Sequence, residues 1–240
     1  MIPWLETDDA FPPVELALKQ PNGLLAAGAD LSAVRLLDAY SQGIFPWFSD
    51  DDPLLWWSPD PRMVLFVGEL KVSRSLRRRI RDAQFTVTAD TSFRDVMMAC
   101  ADRRDADGTW ITEEMIDAYT ELHRRGHAHA IEAWMDGALA GGVYGVAIGR
   151  MFYGESMFTR VTDASKVALA HLVRQLERWG FEMIDCQMST PHLASLGARE
   201  IPRHEFLDRM HALTARPGRP GPWILDADLA STMTAHGGSA

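Results

Sequence analysis

Apolar and polar positions along this chain switch between two periods, and the switches mark out its elements. Over the first sixty residues no long period survives, because Pro and Gly interrupt it: Phe11-Pro-Pro, Pro21-Asn-Gly, Gly43-Ile-Phe-Pro-Trp-Phe and Trp56-Trp-Ser-Pro-Asp-Pro. That density favours short strands and turns. One helix fits, Ser32 to Gln42, with Ser32 as its N-cap and Gly43 just past its end. Pro59-Asp-Pro61 reads as a boundary, and Met63 to Val67 after it is a short apolar run of strand type. From Ser73 to Ala83 the period is helical, with Val72, Leu76 and Ile80 on one face and Arg74, Arg77, Arg78 and Arg81 on the other. Thr112 can cap a helix whose apolar positions are Ile116, Tyr119 and Leu122, closed by Arg124, Arg125 and Gly126.

Strand-like runs follow: Ala128 to Met135, Ala138 to Ile148, and Met151 to Phe158. Asp136-Gly137 between the first two predicts a hairpin. Asp163 opens a helix with Val167, Leu172, Leu176 and Trp179 inward and Gly180 as its stop, and Phe181 to Gln187 is again a strand. This order implies a mixed sheet with helices packed on it. Arg216 to Pro222 is rich in breakers, and the tail from about Ser231 reads as disordered.

Composition narrows the function classes. The 240 residues are 47% hydrophobic and 24% charged, ordinary for a globular protein that can bury a core. Lys plus Arg number 24 against 33 Asp plus Glu, a net charge of −9, so a uniformly basic coat is excluded while a local basic patch is not. Two cysteines, Cys100 and Cys186, make neither a disulfide framework nor a metal knot. The acidic N-terminus does not read as a signal peptide. The longest uncharged stretch, Gly137 to Gly149, has 13 residues and five glycines, against the roughly 20 apolar residues of a membrane span. The expectation is a cytoplasmic protein without a membrane partner.

Several catalytic signatures nearly match and fail. His204-Glu205-Phe-Leu-Asp208 lacks the second His of a zinc-protease helix. His123, His127 and His129 cluster in sequence, but Gly126 ends the helix between the first two, so they read as solvated or core residues rather than metal ligands. Gly154-Glu-Ser156-Met-Phe158 has Phe where a serine-hydrolase elbow needs its second Gly. There is no phosphate loop and no dinucleotide fingerprint.

Four features remain. Lys71 to Arg81 carries six positive charges and no acid. It reads either as a solvated helix face or as a surface for a phosphate backbone. Trp47, Trp56, Trp57 and Trp110 are either core or groove residues. Consecutive Trp56 and Trp57 cannot point the same way on a strand, which puts one of them at a groove or interface. Glu155 in an apolar strand needs a partner, or its pKa rises. Asp185 and Gln187, two apart, share a strand face; they either orient an amine and a carbonyl or form a buried network. Cys186 faces the other way and reads as core.

With these residues in view, the chain resembles the leucyl/phenylalanyl-tRNA–protein transferase family. The N-terminal blocks are Gly23-Leu-Leu-Ala, Gly28-Ala-Asp-Leu-Ser32, Gly43-Ile-Phe-Pro-Trp-Phe48 and Leu55-Trp-Trp-Ser-Pro-Asp-Pro-Arg62. Gly108-Thr-Trp-Ile111, Gly141-Gly-Val-Tyr-Gly-Val146, Gly154-Glu-Ser-Met-Phe158, Ala164-Ser-Lys166, Ile184-Asp-Cys-Gln187 and Ser195-Leu-Gly-Ala198 follow in family order. The resemblance implies an α+β fold: a small N-terminal domain over 1–61, an acetyltransferase-like (GNAT-type) mixed-sheet domain over 62–230, and a disordered tail over 231–240. It implies transfer of Leu or Phe, and less readily Met, from Leu-tRNA or Phe-tRNA to acceptor proteins with N-terminal Arg or Lys, marking them for N-end rule degradation. The acetyl-CoA loop is missing, as this family leads one to expect.

Residue by residue, the resemblance assigns Trp47, Trp110, Val143, Phe152, Glu155 and Met157 to the aminoacyl and adenosine pocket. It assigns Asp185 and Gln187 to catalysis, and Arg74, Arg77, Arg78 and Arg81 to the tRNA acceptor stem. Val143 stands where some relatives have Met. An aminoacyl ester is already activated, so the expectation is no cofactor and no metal. Asp185 is expected to hold the acceptor amine, directly or through Gln187. Glu155 is expected to meet either the acceptor's positive side chain or the adenosine. The rival expectation is a tRNA-binding module without catalysis.

Overall fold

The first sixty residues, broken by Pro and Gly, still find enough short extended segments to pair. In the computed structural model, which describes residues 2–49, 51–102 and 111–229, they form β1 (Trp4–Leu5), β2 (Leu24–Gly28), α1 (Ala33–Ser41), β3 (Phe45–Pro46) and β4 (Leu55–Trp57). The four strands lie in the order β1-β2-β4-β3. Ser32 caps α1 as its sequence predicts, its hydroxyl accepting from the Arg35 N–H at 3.3 Å. Both Trp56 and Trp57 are buried, correcting the expectation that one faces a groove. Each finds a carbonyl for its indole N–H, Gly28 O at 2.9 Å for Trp56 and Trp47 O at 2.6 Å for Trp57.

The rest of the chain supplies β5 (Arg62–Phe66), α2 (Arg74–Arg81), β6 (Thr86–Ala89), α3 (Phe93–Ala101), α4 (Glu113–Arg124), β7 (Ala128–Met135), β8 (Ala138–Ile148) and β9 (Met151–Thr159). After these come α5 (Ala164–Arg178), β10 (Met183–Gln187), α6 (Pro191–Ser195), β11 (Arg199–Ile201) and α7 (Arg203–Thr214). The seven-stranded sheet runs β11-β5-β10-β9-β8-β7-β6. Asp136 and Gly137, at φ 52° and 78°, make the two-residue turn that joins β7 to β8. Only β9 and β10 pair in parallel among the described strands of this sheet.

Two cores sandwich the large sheet. On one face, α3, α4 and α7 pack together with α1 and the N-terminal sheet, through Tyr40, Trp56, Val96, Tyr119, Tyr153 and Phe206. On the other face lie α2, α5 and the C-terminal segment that carries Trp223. Burying Leu76 and Ile80 of α2 contributes about 1.5–3 kcal/mol apiece, while the arginines of that helix stay outside. Asp163 sits at the N-cap of α5 without making a capping bond. Its carboxylate instead meets Arg79 at 2.9 Å and Lys166 at 3.2 Å, which ties α2 to α5. Trp223 stacks on His129 with ring centroids 3.7 Å apart, and its backbone N–H donates to Asp90 Oδ2, which His129 Nδ1 also meets. His129 is thus a core residue held by Asp90. Among the described residues no group of three His, Cys, Asp or Glu could hold a metal ion. No described helix is long and apolar enough to cross a membrane.

Candidate active site

Parallel pairing of β9 and β10 creates the site. The strands are in register through Met151↔Met183, Phe152↔Ile184 and Tyr153↔Asp185, and no pairing continues beyond. At that point β10 carries a bulge against β5 between Asp185 and Gln187, with Gln187 at φ 60°. The β8–β9 ladder shifts register at Tyr144/Gly145. A cavity of about 310 Å³ lies at the carboxyl ends of the two strands, where ligands collect in open sheets with parallel strands. Its wall is apolar, with Leu65, Val143, Met157, Leu169 and Ile184, and Trp47 and Met188 are exposed residues of its lining. Trp47 is 37% exposed and rests edge-on against Trp57 at 5.4 Å.

Glu155 and Gln187 supply polarity at one edge of this cavity. Gln187 Nε2 donates to Glu155 Oε1 at 2.9 Å, and the Tyr119 hydroxyl donates to Glu155 Oε2 at 3.4 Å. Tyr119 in turn pairs with the Tyr40 hydroxyl, and the Tyr153 hydroxyl donates to Tyr40 O at 2.9 Å. Burial raises the pKa of Glu155 to about 7; its Tyr40 bond pulls the other way, and the negative charge of Asp185 adds to the rise. Burial also pushes the phenols of Tyr40, Tyr119 and Tyr153 well above their ordinary range, so they remain donors. Cys186 lines the cavity, and burial raises its thiol pKa, which keeps it protonated.

The residues singled out from sequence therefore separate. Trp47, Val143, Glu155, Met157 and Gln187 meet at one cavity. Phe152 does not line it. It is 1% exposed and packs in the core on the same sheet face as the cavity, 5.9 Å from the Trp223 ring. Gly145 makes room for it: a Cβ there would lie 2.7 Å from the Phe152 ring and 2.1 Å from Tyr153 O. Asp185 does not line the cavity either, so it cannot hold an amine there directly. It is fully buried, with both carboxylate oxygens taken by Arg62, Nε to Oδ1 at 2.8 Å and Nη2 to Oδ2 at 2.7 Å. The bulge separates the two residues that strand alternation places on one face; Asp185 reaches Gln187 only by accepting its backbone N–H at 2.9 Å. Trp110 lies outside the described residues, as does the tail over 231–240.

On α2, Arg74 and Arg77 are exposed and have no acidic partner among the described residues. Arg78 and Arg81 share Asp82 at 3.4 and 3.2 Å, an acid just past the run. Sequence reasoning missed Arg62, Tyr40 and His192, the last an exposed imidazole that lines the cavity. Tyr119 is legible as an apolar helix position, though not as a partner of Glu155. The one signal for Arg62 is its place beside Pro61 at the start of a buried strand, where a cation demands a counter-charge.

Comparison with known proteins covers most of the chain. The sequence profile described as leucyl/phenylalanyl-tRNA protein transferase matches residues 64–211, and that of the N-terminal domain of the same name matches residues 29–60. A leucyl/phenylalanyl-tRNA–protein transferase of Nitrosospira multiformis is 64% identical, over 94% of this chain and 98% of that protein. One from Nitrosomonas europaea is 60% identical, over 94% of this chain and 96% of that protein. Solved structures give weaker likenesses. L-PGS from Bacillus licheniformis is 11% identical, with TM-score 0.40 over 87% of this chain and 71% of that one. A GCN5-related N-acetyltransferase from Kribbella flavida is 14% identical, with TM-score 0.36 over 68% and 59%. On the sequence matches, this chain belongs to the leucyl/phenylalanyl-tRNA protein transferase family.

Proposed function

We propose that this protein transfers Leu or Phe, and less readily Met, from aminoacyl-tRNA to the N-terminal Arg or Lys of acceptor proteins in the cytoplasm, marking them for N-end rule degradation. The observation that carries the reading is the apolar cavity at the parting of β9 and β10, bordered by the Glu155–Gln187 pair. Its volume is at the low end of ligand sites, fitting one apolar side chain with Trp47 beside it to stack on the terminal base.

An ester is already activated, so the site has to align it with a neutral amine and stabilise the tetrahedral intermediate. Gln187 spends its Nε2 on Glu155, which leaves Oε1 to accept an N–H from the acceptor amine. Glu155 titrates near neutrality, and its carboxylate can take a proton from that amine and pass it to the departing 3′-oxygen of the tRNA, or else attract the acceptor's cationic side chain. Arg74 and Arg77 of α2 supply exposed charge for the acceptor-stem phosphates.

The test incubates the protein with radiolabelled Phe-tRNA and an Arg-starting acceptor, without ATP or CoA. Label on the acceptor N-terminus is the expected result. Binding of tRNA with no transfer would establish a non-catalytic tRNA-binding module instead.

A further inference from the structure

Arg62 is the first residue of β5 and is wholly buried. Its guanidinium makes three bonds in one plane: two to Asp185, and Nη1 to Gly43 O at 3.1 Å. The rings of Phe45 and Phe206 cover it at 4.8 and 4.6 Å. Phe45 and Gly43 belong to the segment that carries Trp47 to the cavity. Asp185 Oδ1, already bonded to Arg62, also accepts the Gln187 N–H. That bond closes a turn from an Asp side chain to the backbone two residues on, and it holds Gln187 in the left-handed conformation uncommon for a residue with a side chain.

Resting on the proposed transferase reading, we infer that Arg62 is a positioning residue of the transfer reaction. It occupies both carboxylate oxygens of Asp185, and so locks the turn that aims Gln187 at Glu155 and the cavity. Asp185 then acts through the Gln187 backbone, and proton movement is left to groups that face the cavity. The planar fork is needed as well as the charge, since a lysine could match only one of the carboxylate oxygens and would lose Gly43 O.

A double-mutant cycle on the full-length chain tests this, using radiolabelled Phe transfer to an Arg-starting acceptor and a thermal melt of each variant. Arg62→Lys keeps the charge and should lower kcat by about tenfold or more, with KM for Phe-tRNA within about threefold of wild type. Combined with Gln187→Ala it should be no slower than Gln187→Ala alone, because residues in one chain of contacts are not additive. Losses that multiply in the double variant, or an Arg62→Lys with wild-type kcat, would overturn the inference. If Arg62→Lys fails to fold, Phe206→Leu serves in its place. It loosens the guanidinium without removing it, and should cost about threefold in kcat, again absorbed by Gln187→Ala. A wild-type protein that transfers nothing overturns the transferase reading and this inference with it, whereas an active wild type with multiplying losses overturns this inference alone.

Discussion

Replacing Glu155 by Gln should make the protein more stable at alkaline pH and leave it unchanged at acid pH. The carboxyl has a pKa of about 7 in the folded chain against an ordinary 4.5. Between those values the folded state keeps a proton that the unfolded state has released, so stability falls as pH rises through this window. Fully ionising such a group costs roughly 3 kcal/mol relative to the protonated form. Glu155 borders an open cavity and is only half-buried, so solvent screens part of this and about 2 kcal/mol remains. The amide of the Glu155→Gln variant would carry no such penalty and can still accept from Tyr119 or Gln187. The assay is urea unfolding of both proteins at pH 5 and pH 8.5. Taking the difference between them cancels His129 and His171, whose pKa values burial lowers. The expected gap is within about 0.5 kcal/mol at pH 5 and about 2 kcal/mol in favour of Glu155→Gln at pH 8.5. An equal gap at both pH values, or a gap favouring wild type at pH 8.5, would refute the claim that Glu155 is held protonated by its surroundings.

Three further outcomes are expected. Arg74→Glu with Arg77→Glu should raise KM for aminoacyl-tRNA and flatten its dependence on salt between about 50 and 200 mM, with an unchanged melt; a KM that does not move returns α2 to a solvated face. Val143→Met lengthens a side chain of the cavity wall, so Phe transfer should fall relative to Leu by about 3–10-fold in a competition between the two charged tRNAs. An unchanged ratio would show that the transferred side chain does not reach Val143. Asp185→Leu leaves Arg62 buried without its counter-charge and should cost about 3–5 kcal/mol in denaturant unfolding, a loss that a surface-facing general base would not incur.

Local chemistry is the legible part of this molecule. Ser32 and Thr112 cap their helices at the positions their spacing predicts, and Asp136-Gly137 turns the long hairpin. The region from Thr86 to Ala101 yields no element from its pattern, because β6 and α3 are organised from a distance. Buried Glu132 on β7 accepts from the Thr88 hydroxyl and from the backbone N–H groups of Thr91 and Ser92, so it fixes the end of one and the start of the other. At the site, the residue types are readable and the placement is not. One inserted residue in β10 breaks the two-residue rule, turning Asp185 into the core while Gln187 stays at the cavity. The partner of Asp185 lies 123 positions away, beyond the reach of any periodicity. Phe152 is placed in the pocket by the family resemblance alone. Its ring lies on the same sheet face as Val143 and Ile184 but farther from the cavity, packed toward Trp223 in the space that Gly145 leaves.

The distance between Arg62 and Asp185 also sets an order of events during synthesis. Arg62 leaves the ribosome with Gly43, Phe45 and the N-terminal sheet already behind it, but its counter-charge arrives 123 residues later. At about 5–20 residues per second that interval is roughly 6–25 s. The Tyr40 carbonyl waits nearly as long for the Tyr153 hydroxyl, 113 residues on. During that time the nascent N-terminal segment has no finished core to dock on and an unmatched guanidinium that favours water. Emergence of β10 supplies the carboxylate, and the Gln187 turn closes on the same residue. The strand that neutralises Arg62 is therefore the strand that brings Gln187 to the cavity, and α7 completes the packing afterwards with Phe206 over the guanidinium, so a product truncated before β10 lacks the counter-charge and Gln187 together.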